Sequence, residues 1–203
     1  MIYLIIILII MIALANFFEH CRVNVINRCD MILANHKSDN DINTNEAVDK
    51  ILKMYVSSGK IYNTSVIYDE SNYDLGAYHY HLSIKNGVVK SILYLPNKHR
   101  CYVLFLHEIG HMMYHKNNIE NLGRVIGITN NDSEPVRYLK SIAGVRYDTE
   151  VAAWKIACPN YKDMLIPRLT LYSYRYLQLN SILALGATVT LVMLIFLAII
   201  RCI

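Results

Sequence analysis

Two uncharged apolar runs, one at each end of the chain, limit what it can fold into more than any other feature. Residues Met1 to Phe18 (MIYLIIILIIMIALANFF) and Ile182 to Ile200 (ILALGATVTLVMLIFLAII) contain no Asp, Glu, Lys or Arg. As helices rising 1.5 Å per residue they span roughly 27–28 Å, close to a hydrocarbon core of about 30 Å. Both are therefore expected to cross a membrane. Between them, Glu19 to Ser181 hold all 16 acidic groups and 19 of the 20 Lys and Arg, which is one domain's worth of chain. The expected organisation is a transmembrane signal anchor at 1–18, one domain at 19–181 and a transmembrane helix at 182–200. A freely soluble protein, a many-span transporter and a small disulfide framework are excluded.

A cleaved signal peptide shares the first pattern, and Ala13-Leu14-Ala15 fits a small-residue cleavage site. No Lys or Arg precedes the apolar run, so the retained anchor is the preferred reading. Gly186, Ala187, Thr188 and Thr190 lie toward the start of the second run, where small residues allow close helix approach in lipid. Arg22 and Arg28 follow the first run and Arg168 and Arg175 precede the second, against Arg201 alone beyond it. The positive-inside rule then places the central domain on the cytoplasmic side. Five scattered cysteines with no CxxC pair agree with a reducing compartment, whereas the sequons at Asn63 and Asn131 would matter only on the other side. The central domain nets +3 with no run of like charges, so no nucleic-acid partner is expected.

Within the domain, Ser38 to Asn45 reads as a linker or helix lead-in. Asn45 to Lys60 (NEAVDKILKMYVSSGK) then places Val48, Ile51, Leu52 and Tyr55 on one face at helical spacing, with Thr44 available as a cap and Gly59 as the stop. Ile61 to Glu70 alternates and is rich in β-branched and aromatic residues, predicting a strand, and SNYDLG after it reads as a turn region. Tyr78 to Lys85 and Val88 to Leu95 flank Asn86-Gly87, the pair a type I′ turn requires, and predict an antiparallel hairpin. Asn97 to Arg100 reads as a polar turn.

Cys101 to His115 (CYVLFLHEIGHMMYH) is an apolar helical segment interrupted by His107, Glu108 and His111. Residues four apart share a helix face, so both imidazoles reach one ion at about 2.0–2.1 Å. Glu108, about 100° around the helix, stands beside that ion and can act on a water it holds. Burying three such groups with no ion would cost about 1–3 kcal/mol or more for each one left unpaired. Gly110 costs about 1 kcal/mol in a helix interior and points to a close approach by another element. Zn(2+) is the expected cofactor, and it needs a third protein ligand. The extended HExxHxxGxxH pattern fails, with Tyr114 and Asn117 at its Gly and His positions, which leaves Glu120, Glu134, Asp148 and Glu150. Glu120 is too near on the same helix, and Glu134 precedes Pro135 at a helix start. TEVAAWKIA predicts a helix with Thr149 as N-cap, Glu150 in the first turn, and Ala152, Ala153 and Ala157 small enough to dock on the HExxH helix. Glu150 is the first choice and Asp148 the second; the competing reading of Glu150 is a carboxylate favoured by the helix macrodipole.

HEIGHMMYH, followed 39 residues after His111 by Glu150-Val151-Ala152-Ala153-Trp154, resembles the gluzincin-type metallopeptidases, in which a Glu in an ExxA helix completes HExxH. The first stretch, with His115, is similar to the HELGHxxxH of the ImmA/IrrE peptidases. The layout of anchor, helix, strand before HExxH, ExxA helix and C-terminal span is similar to the YugP-like membrane zinc metallopeptidases. Trp154 departs from the small polar residue of that membrane family, and the gap to Glu150 is longer than in ImmA/IrrE. The resemblance implies an α+β fold: a zincin-like domain with a small antiparallel sheet and an HExxH helix, flanked by N- and C-terminal transmembrane helices. It implies hydrolysis of a peptide or protein substrate, with His107, His111 and Glu150 holding zinc and Glu108 moving the proton. Ser91 to Leu95 would be the substrate-pairing edge strand, and Tyr147, His79 or His81 could face the carbonyl. His115 is read as standing behind the site or on the surface. The alternative is a membrane-anchored binding module that keeps the fold without turnover.

Overall fold

The computed structural model describes residues 2–69, 75–85, 88–122 and 133–202. In chain order the elements are α1 (Ile2–Ala34), α2 (Asn45–Ser57), β1 (Thr64–Asp69), β2 (His79–Lys85), β3 (Val88–Pro96), α3 (Tyr102–Leu122), α4 (Glu134–Ile142), α5 (Val145–Ala157) and α6 (Leu165–Cys202). Short 3-10 turns occupy Asn40–Ile42, Leu75–Ala77 and Tyr161–Asp163. The fold is α+β, mostly helical, with one three-stranded sheet and a long apolar helix at each end. It divides into two compact units, Met1–Val25 with Gly127–Tyr147 and Leu171–Ile203, and Ile26–Ile126 with Asp148–Thr170.

The first unit is built on the apolar ends. Both α1 and α6 are long and apolar enough to cross a membrane. Each outruns its apolar segment. No Gly or Pro interrupts the chain from Glu19 to Ala34, so α1 continues through its polar half, and Pro167 in α6 falls in the first turn, where a missing N–H leaves no gap. The helices run antiparallel: Phe18 stacks on Tyr176 (6.0 Å), Asn180 donates to Glu19 (3.2 Å), and Gly186 receives the methyl end of Met11. This is the close approach expected of the small residues near Gly186. Ser133 and Pro135 start α4, which is tied to α6 by Tyr138 donating to the Ser181 carbonyl (2.9 Å) and Gln178 donating to that of Ile142 (3.1 Å).

The second unit holds the sheet. Thr44 accepts from Ala47 N–H (3.1 Å) to cap α2, Val48 and Leu52 are buried, and Gly59 lies just past the end at φ +69°. β2 and β3 pair antiparallel with Lys85 opposite Val88, the register a two-residue connection imposes. The Asn86-Gly87 turn, most of SNYDLG, and Asn131-Asp132 lie outside the described residues. β1 joins the other side of β3 in parallel, Thr64 opposite Ser91 through Asp69 opposite Pro96. The sheet is thus mixed, not antiparallel, in the order β1-β3-β2. β1 and β2 lie on opposite sides of β3, so Ser91 to Leu95 form the central strand and cannot be the edge. Leu93 and Leu95 are fully buried, and the adjoining Thr64 hydroxyl meets Ser91 (2.7 Å) and the sulfur of Met112 on α3 (4.0 Å).

Arg100, read from sequence as part of a polar turn, is 1% exposed. It donates to the carbonyls of Pro96 (2.9 Å) and Ile42 (3.2 Å) and to Asn45 Oδ1, with its guanidinium over the Tyr68 ring (4.6 Å). One side chain thereby joins the end of β3, the 3-10 turn, the start of α2 and β1.

Helices α3 and α5 meet at Gly110, where a Cβ would overlap the backbone carbonyl of Ala153. At Gly186 the overlap would be with the flexible end of Met11 instead. Gly110→Ala is expected to destabilise the protein by about 1–3 kcal/mol despite the better helix propensity of Ala. Gly186→Ala is expected to change it by less than about 1 kcal/mol, because a methionine tip can swing aside. Denaturant unfolding of the two variants checks the contrast.

Candidate metal centre

The site begins with α3, whose apolar face (Leu104, Phe105, Ile109, Met112) is buried and carries His107 and Glu108, each 6% exposed, into the core. One donor atom from each of His107, Glu108 and His111 lies within 4.8 Å of the others. On α5, Glu150, Ala153 and Trp154 fall at i, i+3 and i+4 and so share one face. Ala153 seats against Gly110 and brings the other two onto the imidazoles. Glu150 Oε2 stands 3.1 Å from His107 Nε2 and 3.4 Å from His111 Nε2, while Glu108 Oε1 is 3.4 Å from His107 Nδ1.

These separations match a specific geometry. Tetrahedral zinc with bonds of about 2.0–2.1 Å keeps neighbouring N and O donors about 3.3 Å apart. His107 Nε2 is buried and, although near Glu150, is not aligned for a hydrogen bond, so it has no such partner among the described residues. Two nitrogens converging on one carboxylate oxygen, with one nitrogen left unbonded, fit an ion better than a hydrogen-bonded core. Burial works against charge on His107, but Glu108 and Glu150 outweigh it and hold its pKa at about 9. Burial likewise opposes the Glu150 carboxylate, yet His111 and His107 pull it well below the usual range.

Trp154 has a larger part than the sequence indicated. Its ring lies flat on His107 (3.9 Å between centroids, 14° between planes), and its indole N–H donates to Thr170 Oγ1 (3.2 Å), which donates to the Pro167 carbonyl (2.9 Å). The indole is therefore oriented by the start of α6 and orients His107 in turn. Its i+4 spacing from Glu150 was visible in the sequence, but the stacking partner was not.

The other expectations divide. Asp148 is exposed on α5 and outside the cluster; Glu120 pairs with Lys116 along α3, and Glu134 is exposed at the start of α4. Thr149 is not the N-cap, since α5 begins at Val145, and Glu150 sits in the second turn, where the macrodipole offers it little. His79 stacks on Tyr94 (4.1 Å) and lies, like His81, on the face of β2 opposite Tyr80. Tyr80, on the other face, meets α3, its ring 5.8 Å from that of His115. Tyr147 packs under Arg175 (5.3 Å) in the first unit. His115 lies beside His111 (6.1 Å between rings), and burial together with His111 lowers its pKa to about 4, so it is neutral. No family model, curated protein or solved structure matches the chain.

The stacking of Trp154 makes a quantitative expectation. Trp154→Ala should cost about 3–5 kcal/mol, whereas Trp154→Phe keeps an aromatic surface under His107 and forfeits mainly the hydrogen bond to Thr170, about 1 kcal/mol. Equilibrium unfolding of both variants checks the order and the spacing.

Proposed function

We propose that the chain is a membrane-anchored zinc metallopeptidase that hydrolyses peptide bonds in a peptide or protein substrate. The observation that carries the reading is the approach of His107 Nε2 and His111 Nε2 to one oxygen of Glu150, at 3.1 and 3.4 Å, with the Glu108 carboxylate beside them. In this reading His107, His111 and Glu150 are the three protein ligands of Zn(2+). Bound there, zinc supplies Lewis acidity toward a peptide carbonyl and a water molecule. Glu108 takes the water proton and delivers it to the leaving amine nitrogen; Trp154 holds the His107 ring in place. An extended substrate would pair with β2, the edge strand whose Tyr80 packs beside His115 on α3. The two apolar helices anchor the domain, and the arginines flanking it favour the cytoplasmic side.

Glu108→Gln separates an enzyme from a binding module built on the same fold. The variant should bind one zinc at this site as the wild type does, yet lose at least about a hundredfold in cleavage of a casein-type substrate. Undiminished cleavage would remove Glu108 from the chemistry, and an absence of cleavage in the wild type would favour the module.

Metal binding has its own readout, because Trp154 is the sole tryptophan and lies on a proposed ligand. Zinc titration of the full chain should change its intrinsic fluorescence saturably. Glu150→Ala should weaken that response by about tenfold or more, and Asp148→Ala should leave it unchanged.

A further inference from the structure

A second group of metal-ligating side chains surrounds the start of α3, about 9 Å along the helix from His107. His36, Asp39 and Cys101 each offer one donor atom, and the three lie within 4.8 Å of one another. Imidazole, carboxylate and thiolate are all donors that zinc uses, and the last two would together neutralise a divalent cation. His36 Nε2 and Asp39 Oδ2 are 3.2 Å apart, again close to the edge of a zinc tetrahedron. Cys101 is buried while His36 and Asp39 are partly exposed, so the group has a fixed floor and an open entrance.

The arrangement is held before any ion arrives. Asp39 N–H donates to the Arg100 carbonyl (3.0 Å), Arg100 N–H to Ser38 Oγ (3.0 Å), and Tyr102 N–H to Asp39 Oδ2 (2.7 Å). The His99 ring bonds the His36 carbonyl through Nδ1 (2.9 Å), and Tyr78 OH accepts from Cys101 N–H (2.6 Å). Cys101 occupies the position before α3 where Ser, Thr, Asp or Asn would be the usual cap. A thiol there is a modest cap and a strong zinc ligand.

We propose that His36, Asp39 and Cys101 form a second zinc site, which clamps the segment following α1 to the start of α3. It is independent of peptide hydrolysis. On binding, the ion replaces the Cys101 thiol proton and the His36–Asp39 hydrogen bond; one proton leaves for solvent from the thiol, and a second leaves from His36 only where its imidazole carries two. Three protein donors leave a fourth position for water, and the ion joins two segments far apart in sequence.

Cobalt(II) distinguishes this site from the first, because only this one contains sulfur. Titrating the full chain in detergent with cobalt(II) should produce a thiolate-to-cobalt charge-transfer absorption whose final amplitude corresponds to one thiolate-bound cobalt per chain. Cys101→Ser should abolish that absorption, and His107→Ala should leave it intact. His36→Ala, which keeps the buried thiol and its packing, should weaken cobalt binding at this absorption by about tenfold or more. No such absorption in the wild type, its persistence in Cys101→Ser, or unchanged affinity in His36→Ala would each overturn the proposal, whatever the outcome for peptide cleavage.

Discussion

Two imidazoles and two carboxylates inside an apolar layer are tolerated only when they face one another, and the contact between α3 and α5 makes them do so. Gly110 removes the side chain that would hold the helices apart, and the Ala153 backbone occupies the space. Glu150, one turn earlier on α5, then reaches both His107 and His111. The desolvation cost of His107 is offset by Glu108 and Glu150, and that of Glu150 by His111 and His107. A side chain at Gly110 would disturb the helix contact and the electrostatic balance together.

Around that contact, the unit is arranged to hold α3 still. Thr64 and Ser91 support it from the sheet, and Trp154 lies flat on His107 with its indole fixed by Thr170. At its start, Asp39 bonds the Tyr102 N–H while the buried Arg100 ties the end of β3 to the 3-10 turn and α2. Arg100 has neutral oxygens as its hydrogen-bond partners, three of them, and an aromatic ring. Such a site suits a guanidinium, with its fork of donors and weak hydration, far better than it would suit a lysine.

Much of this was legible in the chain because it depended on local chemistry. Thr44 and Gly59 bracket α2, Asn86-Gly87 separates two strands in the register a tight turn demands, and Ser133-Glu134-Pro135 opens α4. The start of α5 was not legible in this way, because Thr149 has the chemistry of a cap but Gly144, at φ +76°, ends the preceding helix and lets the next begin at Val145. Nor was the central position of β3. Strand order depends on how β1 and β2 flank β3, and nothing local to Ser91 to Leu95 encodes that. The burial of Arg100 has the same cause: two of its three hydrogen-bond partners come from 58 and 55 residues earlier in the chain.

The sequence by itself determined the two apolar terminal helices, the hairpin, and the helix that presents His107, Glu108 and His111, since each follows from periodicity, capping or length within one segment. It also narrowed the fourth member of the cluster to a few carboxylates. Only the tertiary structure decided among them, because selecting Glu150 over Asp148 required the helix face that Ala153 docks on Gly110. The mixed strand order, the stacking of Trp154 on His107 and the meeting of His36 and Asp39 with Cys101 were likewise decided by packing. Each joins groups distant in sequence, and only the folded core sets the distance between them.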